Sequence, residues 1–171
     1  MPTWSGTRKK LEEDYLCPAL RGRLRYFATA YRKFHDQEGR VAVLLDGEEI
    51  LGCGFCEYDR AYQKNYNDIV SETGVSGIDS HYPAVQRTLE EGFFERWSFY
   101  EAFHAFEGQS IETSLADDDP VVRMFALLDR RTGKRRLLAM HDRMKAEPSW
   151  LQMIYNLRLS AEGLSEHPGD L

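Results

Sequence analysis

Residues 93–106 read FFERWSFYEAFHAF and hold seven of the chain's 21 aromatic side chains. Phe93, Phe94, Trp97, Phe99, Tyr100, Phe103 and Phe106 point in nearly every direction of a helix, and a helix apolar on most sides must be covered on most sides. The stretch is therefore expected to be a central core helix. Sheet should pack on one flank and the C-terminal helices on the other.

Working outward, the sequence up to residue 57 reads mostly as sheet. Ser5 is placed to cap a first helix over residues 7–16, which Pro18 stops. Residues 23–34 fit helical and alternating spacing alike, and a strand is favoured because a sheet follows. Val41 to Leu45 is a short apolar run, Asp46-Gly47 is the strongest hairpin signal in the chain, and Ile50 to Cys56 returns as the partner strand. The expected fold is α+β, a single domain over residues 1–171. It has a three-stranded antiparallel sheet in residues 23–57 and a helical region in residues 79–163.

Beyond the sheet, residues 59–72 are polar and tyrosine-rich and suit one exposed helix. Gly74 and Gly77 mark a flexible loop, and Asp79 or Ser80 is placed to cap a helix with Pro83 in its first turn. After the aromatic stretch, Gly108 ends the central helix and Ser110 caps a short turn. Asp117, Asp118, Asp119 and Pro120 open a helix by sterics and by dipole. Thr132-Gly133 breaks it, residues 134–145 form the next helix, and Pro148 begins a last one ending at Gly163. The tail SEHPGDL is expected to fray.

A chain of 171 residues buries roughly 70% of its unfolded surface on folding and needs no disulfide or metal staple. Hydrophobic residues at 42% and charged residues at 29% are globular values. Three cysteines, an odd number, and no apolar run of membrane length predict a soluble cytoplasmic protein. The net charge of −6 is unevenly spread: +4 over residues 1–40, −13 over 41–119 and +3 over 120–171. The simplest expectation is that the basic ends fold back near the acidic middle.

Several constellations invite a chemical reading. Cys53 and Cys56 have the spacing of a zinc half-site or redox pair. No second pair follows, with Cys17 and His81 distant, so buried small hydrophobes are expected instead. His35-Asp36 resembles the dyad of metal phosphohydrolases but lacks further ligands, since His81, His104, His141 and His167 follow no such pattern. Glu101 and His104 form a single Glu-x-x-His, where di-iron bundles need two plus further carboxylates. Gly77-Ile-Asp79-Ser80 looks like the phosphopantetheine serine motif of carrier proteins, except that His81 stands where an apolar residue belongs.

The densest charge feature is Arg130, Arg131, Lys134, Arg135 and Arg136 around Thr132-Gly133. Five cations at a turn would grip a polyanion such as nucleic acid, with help from Arg21, Arg23 and Arg25. Against this, Arg130 and Arg131 sit where a helix C-terminus stabilises cations, and the rest would pair with the acidic middle.

Taken together, Trp4-Ser5, residues 16–33, EGRVAVLLDGEEIL (38–51), QSIETSLADDDPVVRMFALLDRRTGKRR (109–136) and WLQMIYNLRLSAEG (150–163) resemble a family of small bacterial proteins without an assigned activity. LDRRTGKRR is the most distinctive part. Some members carry an automatic nonribosomal-peptide-synthetase label, which implies adenylation and condensation domains that a chain of this size cannot hold. The resemblance brings no catalytic residues. Three readings follow: a non-enzymatic interaction or regulatory protein with a protein partner, a polyanion binder through Arg130 to Arg136, and a metal-dependent hydrolase using His35, Asp36 or the Glu101 and His104 pair. The first is favoured, with no cofactor and no bound metal expected; self-association stays open.

Overall fold

The computed structural model describes residues 3–30 and 39–164. Its three antiparallel strands are β1 (Leu24–Ala30), β2 (Gly39–Leu45) and β3 (Glu48–Gly54), in the order β1-β2-β3. The α+β expectation holds, and so does the strand reading of the ambiguous segment as far as residue 30. Asp46 and Gly47 both have positive φ, 52° and 91°, as a tight hairpin turn demands. A register irregularity lies between Val43 and Leu44. Leu24 and Tyr26 of β1 alternate with exposed Arg25 and Phe27, and pack with buried Val41 and Val43 of β2.

Ahead of the sheet come α1 (Trp4–Lys9), a π-helical turn at Lys10–Tyr15 and a 3-10 turn at Pro18–Leu20. Thr3, and not Ser5, caps α1. The π turn carries Glu12 to the edge of the sheet, where its carboxylate accepts the backbone N–H of Tyr26 at 2.8 Å. A charged side chain thus occupies a donor that another strand would otherwise use.

After the sheet come α2 (Phe55–Thr73), α3 (Ile78–Glu90), α4 (Arg96–Gly108), α5 (Ile111–Leu115), α6 (Pro120–Leu128), α7 (Lys134–Ala139), α8 (His141–Met144) and α9 (Ser149–Ala161). Three boundaries differ from the sequence reading. Helix α2 starts at Phe55, so Cys56 is helical; Gly54 is its cap, with the backbone N–H of Gly54 donating to Glu57 at 2.7 Å. Helix α3 starts at Ile78 with Gly77 as cap, which puts Pro83 inside it and removes Asp79 and Ser80 from a capping role. The helix expected over 134–145 divides at Met140 into α7 and α8.

Helix α4 is the correction that matters most. Its cap is the buried carboxylate of Glu95, which accepts the N–H groups of Trp97 and Ser98 at 2.7 and 2.8 Å, so Phe93 and Phe94 precede the helix. Only Phe99, Ala102, Phe103 and Phe106 are buried along it, a single stripe at helical spacing. Trp97 and Tyr100 stay half-buried under the Arg96 guanidinium, 5.1 and 5.4 Å from their ring centres. The stripe does lie between the sheet and α6, as expected. Phe125 of α6 is its hub, with ring centres 5.1 Å from Phe99, 5.6 Å from Phe106 and 6.0 Å from Tyr26.

Further along, Gly92 has φ of 89°, and a Cβ there would meet the Trp150 ring at 3.1 Å. Glycine lets the chain turn tightly from α3 toward α4 against that ring. The Trp150 indole N–H donates to the Glu90 carbonyl at 3.1 Å, fastening the end of α3 to α9.

Asp119 caps α6, accepting the N–H of Val121 at 2.7 Å, with Pro120 in the first turn. Burial drives its carboxyl up from 3.8 to about 6, the nearby Asp117 adding to the rise and the backbone hydrogen bonds opposing it. Ionised Asp119 is therefore penalised in the folded state. Its contribution to stability is greatest when protonated, below pH 3.8, and falls as the pH rises from there through 6. Asp119→Asn, which caps about as well, should flatten that part of the profile in urea midpoints measured between pH 4 and pH 7. An unchanged profile would show that Asp119 does not set it.

Candidate functional site

The basic turn, the most conspicuous candidate in the sequence, proves to be built largely as architecture. Asp129 is buried and receives the Arg131 side chain in a fork, from Nε at 3.0 and 3.1 Å and from a terminal nitrogen at 2.8 Å. That guanidinium also lies 5.3 Å from the Tyr15 ring centre and 5.4 Å from Phe106. Arg158, 2% exposed, reaches in from α9 behind the turn. It donates to the carbonyls of Leu127 at 2.9 Å, Asp129 at 3.0 Å and Thr132 at 2.9 Å, and to the Glu162 carboxylate at 3.1 Å.

The turn is also stitched to the N-terminal segment. Leu16 pairs with Asp129 in an antiparallel bridge, the Cys17 N–H donates to the Leu128 carbonyl at 2.9 Å, and the Arg130 N–H donates to Tyr15 at 2.7 Å. The hollow between Tyr15, Tyr26, Phe106 and Phe125 leaves no room for a water molecule.

Of the five cations, three are engaged within the chain: Arg131 with Asp129, Lys134 with Glu162 and Arg136 with Glu112. Among the described residues Arg130 and Arg135 make no ion pair, and both are exposed. Arg23 pairs with Asp46 and Arg25 with Glu12. Arg21 remains exposed with its Nε donating to the Leu16 carbonyl at 3.3 Å. Leu16, whose carbonyl Arg21 binds, is the residue that bridges to Asp129, the neighbour of Arg130 in sequence.

The other constellations stay apart. Cys53 is buried and its thiol donates to the Gly54 carbonyl at 3.2 Å, while burial pushes it up to about 11. A thiol so held is a poor thiolate at neutral pH. Cys56 is exposed in the first turn of α2, which corrects the expectation that both would be buried. Glu101 and His104 are exposed on α4. His35 and Asp36 lie outside the described residues. No group of three or more His, Cys, Asp or Glu suited to a metal occurs among the described residues. Ser80 is 1% exposed and its hydroxyl donates to the Val75 carbonyl at 2.7 Å, so it is not available to carry a phosphopantetheine arm.

What sequence reasoning missed is the outer face of the α2 and α3 hairpin. Over its 19 residues α2 buries only Asn65 and Ile69. Asn65 donates to Thr88 at 3.1 Å and to Glu91 at 3.0 Å, joining the two helices. Tyr58, Tyr62 and Tyr66 recur at every fourth residue, their rings 6.4 and 6.0 Å apart in sequence. The Tyr62 ring also meets His81 of α3, which leads on to Tyr82 at 5.3 Å. The Tyr62 hydroxyl and His81 Nδ1 lie 2.8 Å apart in a hydrogen bond. Tyr66 accepts the Gly77 N–H at 2.8 Å, tying down the hairpin loop. Tyr82 is 66% exposed and Ile78, one turn before it, 61%. The four-residue spacing of the tyrosines was the available signal.

Carboxylates act on Tyr58 and Tyr62 of this row, with Arg60 exposed on α2 between them. Burial raises Tyr58 to about 12, reinforced by the charges of Glu95 and Glu101, while a hydrogen bond with Ser98 opposes the rise. Tyr62 is raised by burial first, then by Tyr66 and Asp59.

A family model described as the SF0329 protein family matches residues 3–159. No curated protein and no solved structure matches the chain.

The Arg158 geometry generates a stability prediction. Arg158→Lys keeps the charge but not the planar fork that serves three carbonyls, so it should cost about 2–4 kcal/mol in urea unfolding. A loss under about 0.5 kcal/mol, the range of ordinary surface substitutions, would mean that the turn does not rely on that guanidinium.

Proposed function

We propose that this chain, which belongs to the SF0329 protein family, is a non-enzymatic protein-interaction or regulatory module working through the outer face of α2 and α3. The observation that carries the reading is the continuous run of Tyr58, Tyr62, His81 and Tyr82 rings, with Tyr82 66% and Ile78 61% exposed at its open end. Tyrosine is enriched where proteins dock, because its ring supplies apolar area and its hydroxyl tolerates water before the partner arrives. The compartment proposed is the bacterial cytoplasm; no helix among the described residues is long and apolar enough to cross a membrane. The reading is tested by a photo-cross-linking residue at position 82, with one at exposed Leu138 as control, irradiated in the native cell. A discrete adduct formed only from position 82, and lost with Ile78→Ala, is expected. Identical adducts from both positions, or none, would overturn the reading.

A second reading is polyanion binding, favoured by exposed Arg130 and Arg135, which make no ion pair among the described residues, and by Arg21, which binds the carbonyl of Leu16 where that residue bridges to Asp129. With Arg131, Lys134 and Arg136 engaged internally, the residues carrying it would be Arg21, Arg130 and Arg135. Filter binding to DNA and RNA at 50 and 200 mM salt measures it. Three phosphate contacts give a log–log salt slope of roughly −3 for duplex DNA, and Arg130→Ala with Arg135→Ala should bring it near −1. Absence of binding at low salt would remove this reading.

A further inference from the structure

We propose that the tyrosine face of α2 and α3 receives a cationic segment of a partner protein, one presenting lysine or arginine side chains to the Tyr58, Tyr62 and Tyr82 rings. The inference rests on the interaction reading above and adds the chemistry of the partner. It stands on two observations that meet at the same place.

The first is geometric. Tyr58 and Tyr62 are nearly parallel, 10° between ring planes at 6.4 Å, and the row turns through His81 onto the exposed Tyr82. Ring faces carry the negative part of an aromatic quadrupole, so a row of partly open faces attracts ammonium and guanidinium groups.

The second is the distribution of charge. The charged groups acting on Tyr58 are Glu95 and Glu101, and the one acting on Tyr62 is Asp59; all are carboxylates. Asp79 precedes Tyr82 by three residues on α3 and is exposed, which places it on the same side. Two of the hairpin's three cations are directed elsewhere, Lys64 to Asp68 and Arg87 to Glu72, and exposed Arg60 is the third. From residue 55 to 91 the hairpin carries seven carboxylates and three cations. An anionic partner would meet a net surplus of carboxylates along the row, and an uncharged one would leave Asp59, Asp79 and Glu101 without counter-charge at the rim. A cationic one answers both the rings and the acids.

The placement also gives a use to Glu101, whose Glu-x-x-His spacing with His104 suggested metal. Exposed on α4 and acting on Tyr58 across the start of α2, it extends the acidic rim onto the body of the protein.

The test is fluorescence anisotropy with a labelled amphipathic peptide of alternating lysine and leucine turns, at 50 and 300 mM salt. Controls are the same peptide with glutamate for lysine, and spermine as competitor. Tyr82→Ala with Ile78→Ala, and Asp59→Asn with Glu101→Gln, alter exposed or half-buried side chains, and circular dichroism establishes that each variant stays folded. The lysine peptide is expected to bind at least tenfold more tightly than the glutamate peptide, and each double variant to weaken it fivefold or more. No binding at low salt overturns the proposal, as does binding that ignores both variants, since bulk charge alone would then suffice. Spermine competing at equal affinity would make the ligand a small polycation and overturn it too. A dimer in sedimentation that Tyr82→Ala with Ile78→Ala abolishes would make the occupant a second copy of this chain, with the same result. If the peptide fails while position 82 still gives its specific photo-adduct, the interaction reading stands and the cationic chemistry alone falls.

Discussion

The guanidinium of Arg158 is the constraint on which the C-terminal half of the molecule depends. It is almost wholly buried and donates to three carbonyls at the end of α6 and in the turn that follows. A helix end leaves its last carbonyls without intrahelical partners, and a buried one must find them elsewhere. Here Arg158 from α9 serves Leu127, the Cys17 N–H serves Leu128 and the Thr132 hydroxyl serves Ala126, with Glu162 beside Arg158 to balance its charge. Breaking a buried pair of this kind is costly because the remaining groups stay desolvated. The turn is thus fixed in one shape, and with it the edge on which Leu16 pairs with Asp129. Since that pairing carries the N-terminal segment to the sheet, α9 and α1 are linked through a single turn.

This accounts for the charge layout. The basic ends do reach the acidic middle: Lys10 pairs with Glu107, Arg23 with Asp46, Arg40 with Glu49 and Arg136 with Glu112. Exposed pairs of this kind contribute little stability each, but they neutralise the carboxylates nearest the body. The hairpin lies beyond their reach, and its own two ion pairs, Lys64 with Asp68 and Arg87 with Glu72, leave a surplus of carboxylates. Acidity is therefore concentrated where the tyrosines are.

The sheet was legible because its signals are local. Asp46-Gly47 demands a tight turn, and Val41 to Leu45 can hardly be anything but a strand beside it. The opening of α6 was legible for the same reason, three aspartates and a proline stating its start. The central helix was misjudged in degree, because aromatic residues all round a helix need not all be buried: Trp97 and Tyr100 are shielded by Arg96 instead of by the core. The start of α3 was displaced because Pro83 looks like a first-turn residue, whereas Gly77, with positive φ, caps the helix two or three residues before Asp79 or Ser80 could. Arg158 gave no warning, since one arginine in an apolar helical pattern reads as a surface residue. The turn it satisfies lies some thirty positions away. The candidate surface was hidden in a polar stretch, where tyrosines at every fourth position pass for an ordinary exposed helix.

The division of aromatic residues between the two parts argues for how such a surface would be used. Phe94, Phe99, Phe103, Phe106 and Phe125 are all buried in the body. The hairpin has four of the nine tyrosines, Tyr58, Tyr62, Tyr66 and Tyr82, and of the phenylalanines only Phe55 at its beginning. Phenylalanine on an exposed helix face would invite indiscriminate association, because nothing on its ring engages water. Tyrosine keeps a hydroxyl for solvent, or for a neighbour such as His81 or Gly77, and stays tolerable while the face is empty. A face of that composition, ringed by carboxylates, suits a partner that comes and goes better than one buried for the life of the protein. Permanent interfaces are more hydrophobic, like a core cut in two, whereas the α2 and α3 face retains tyrosine hydroxyls and charged side chains.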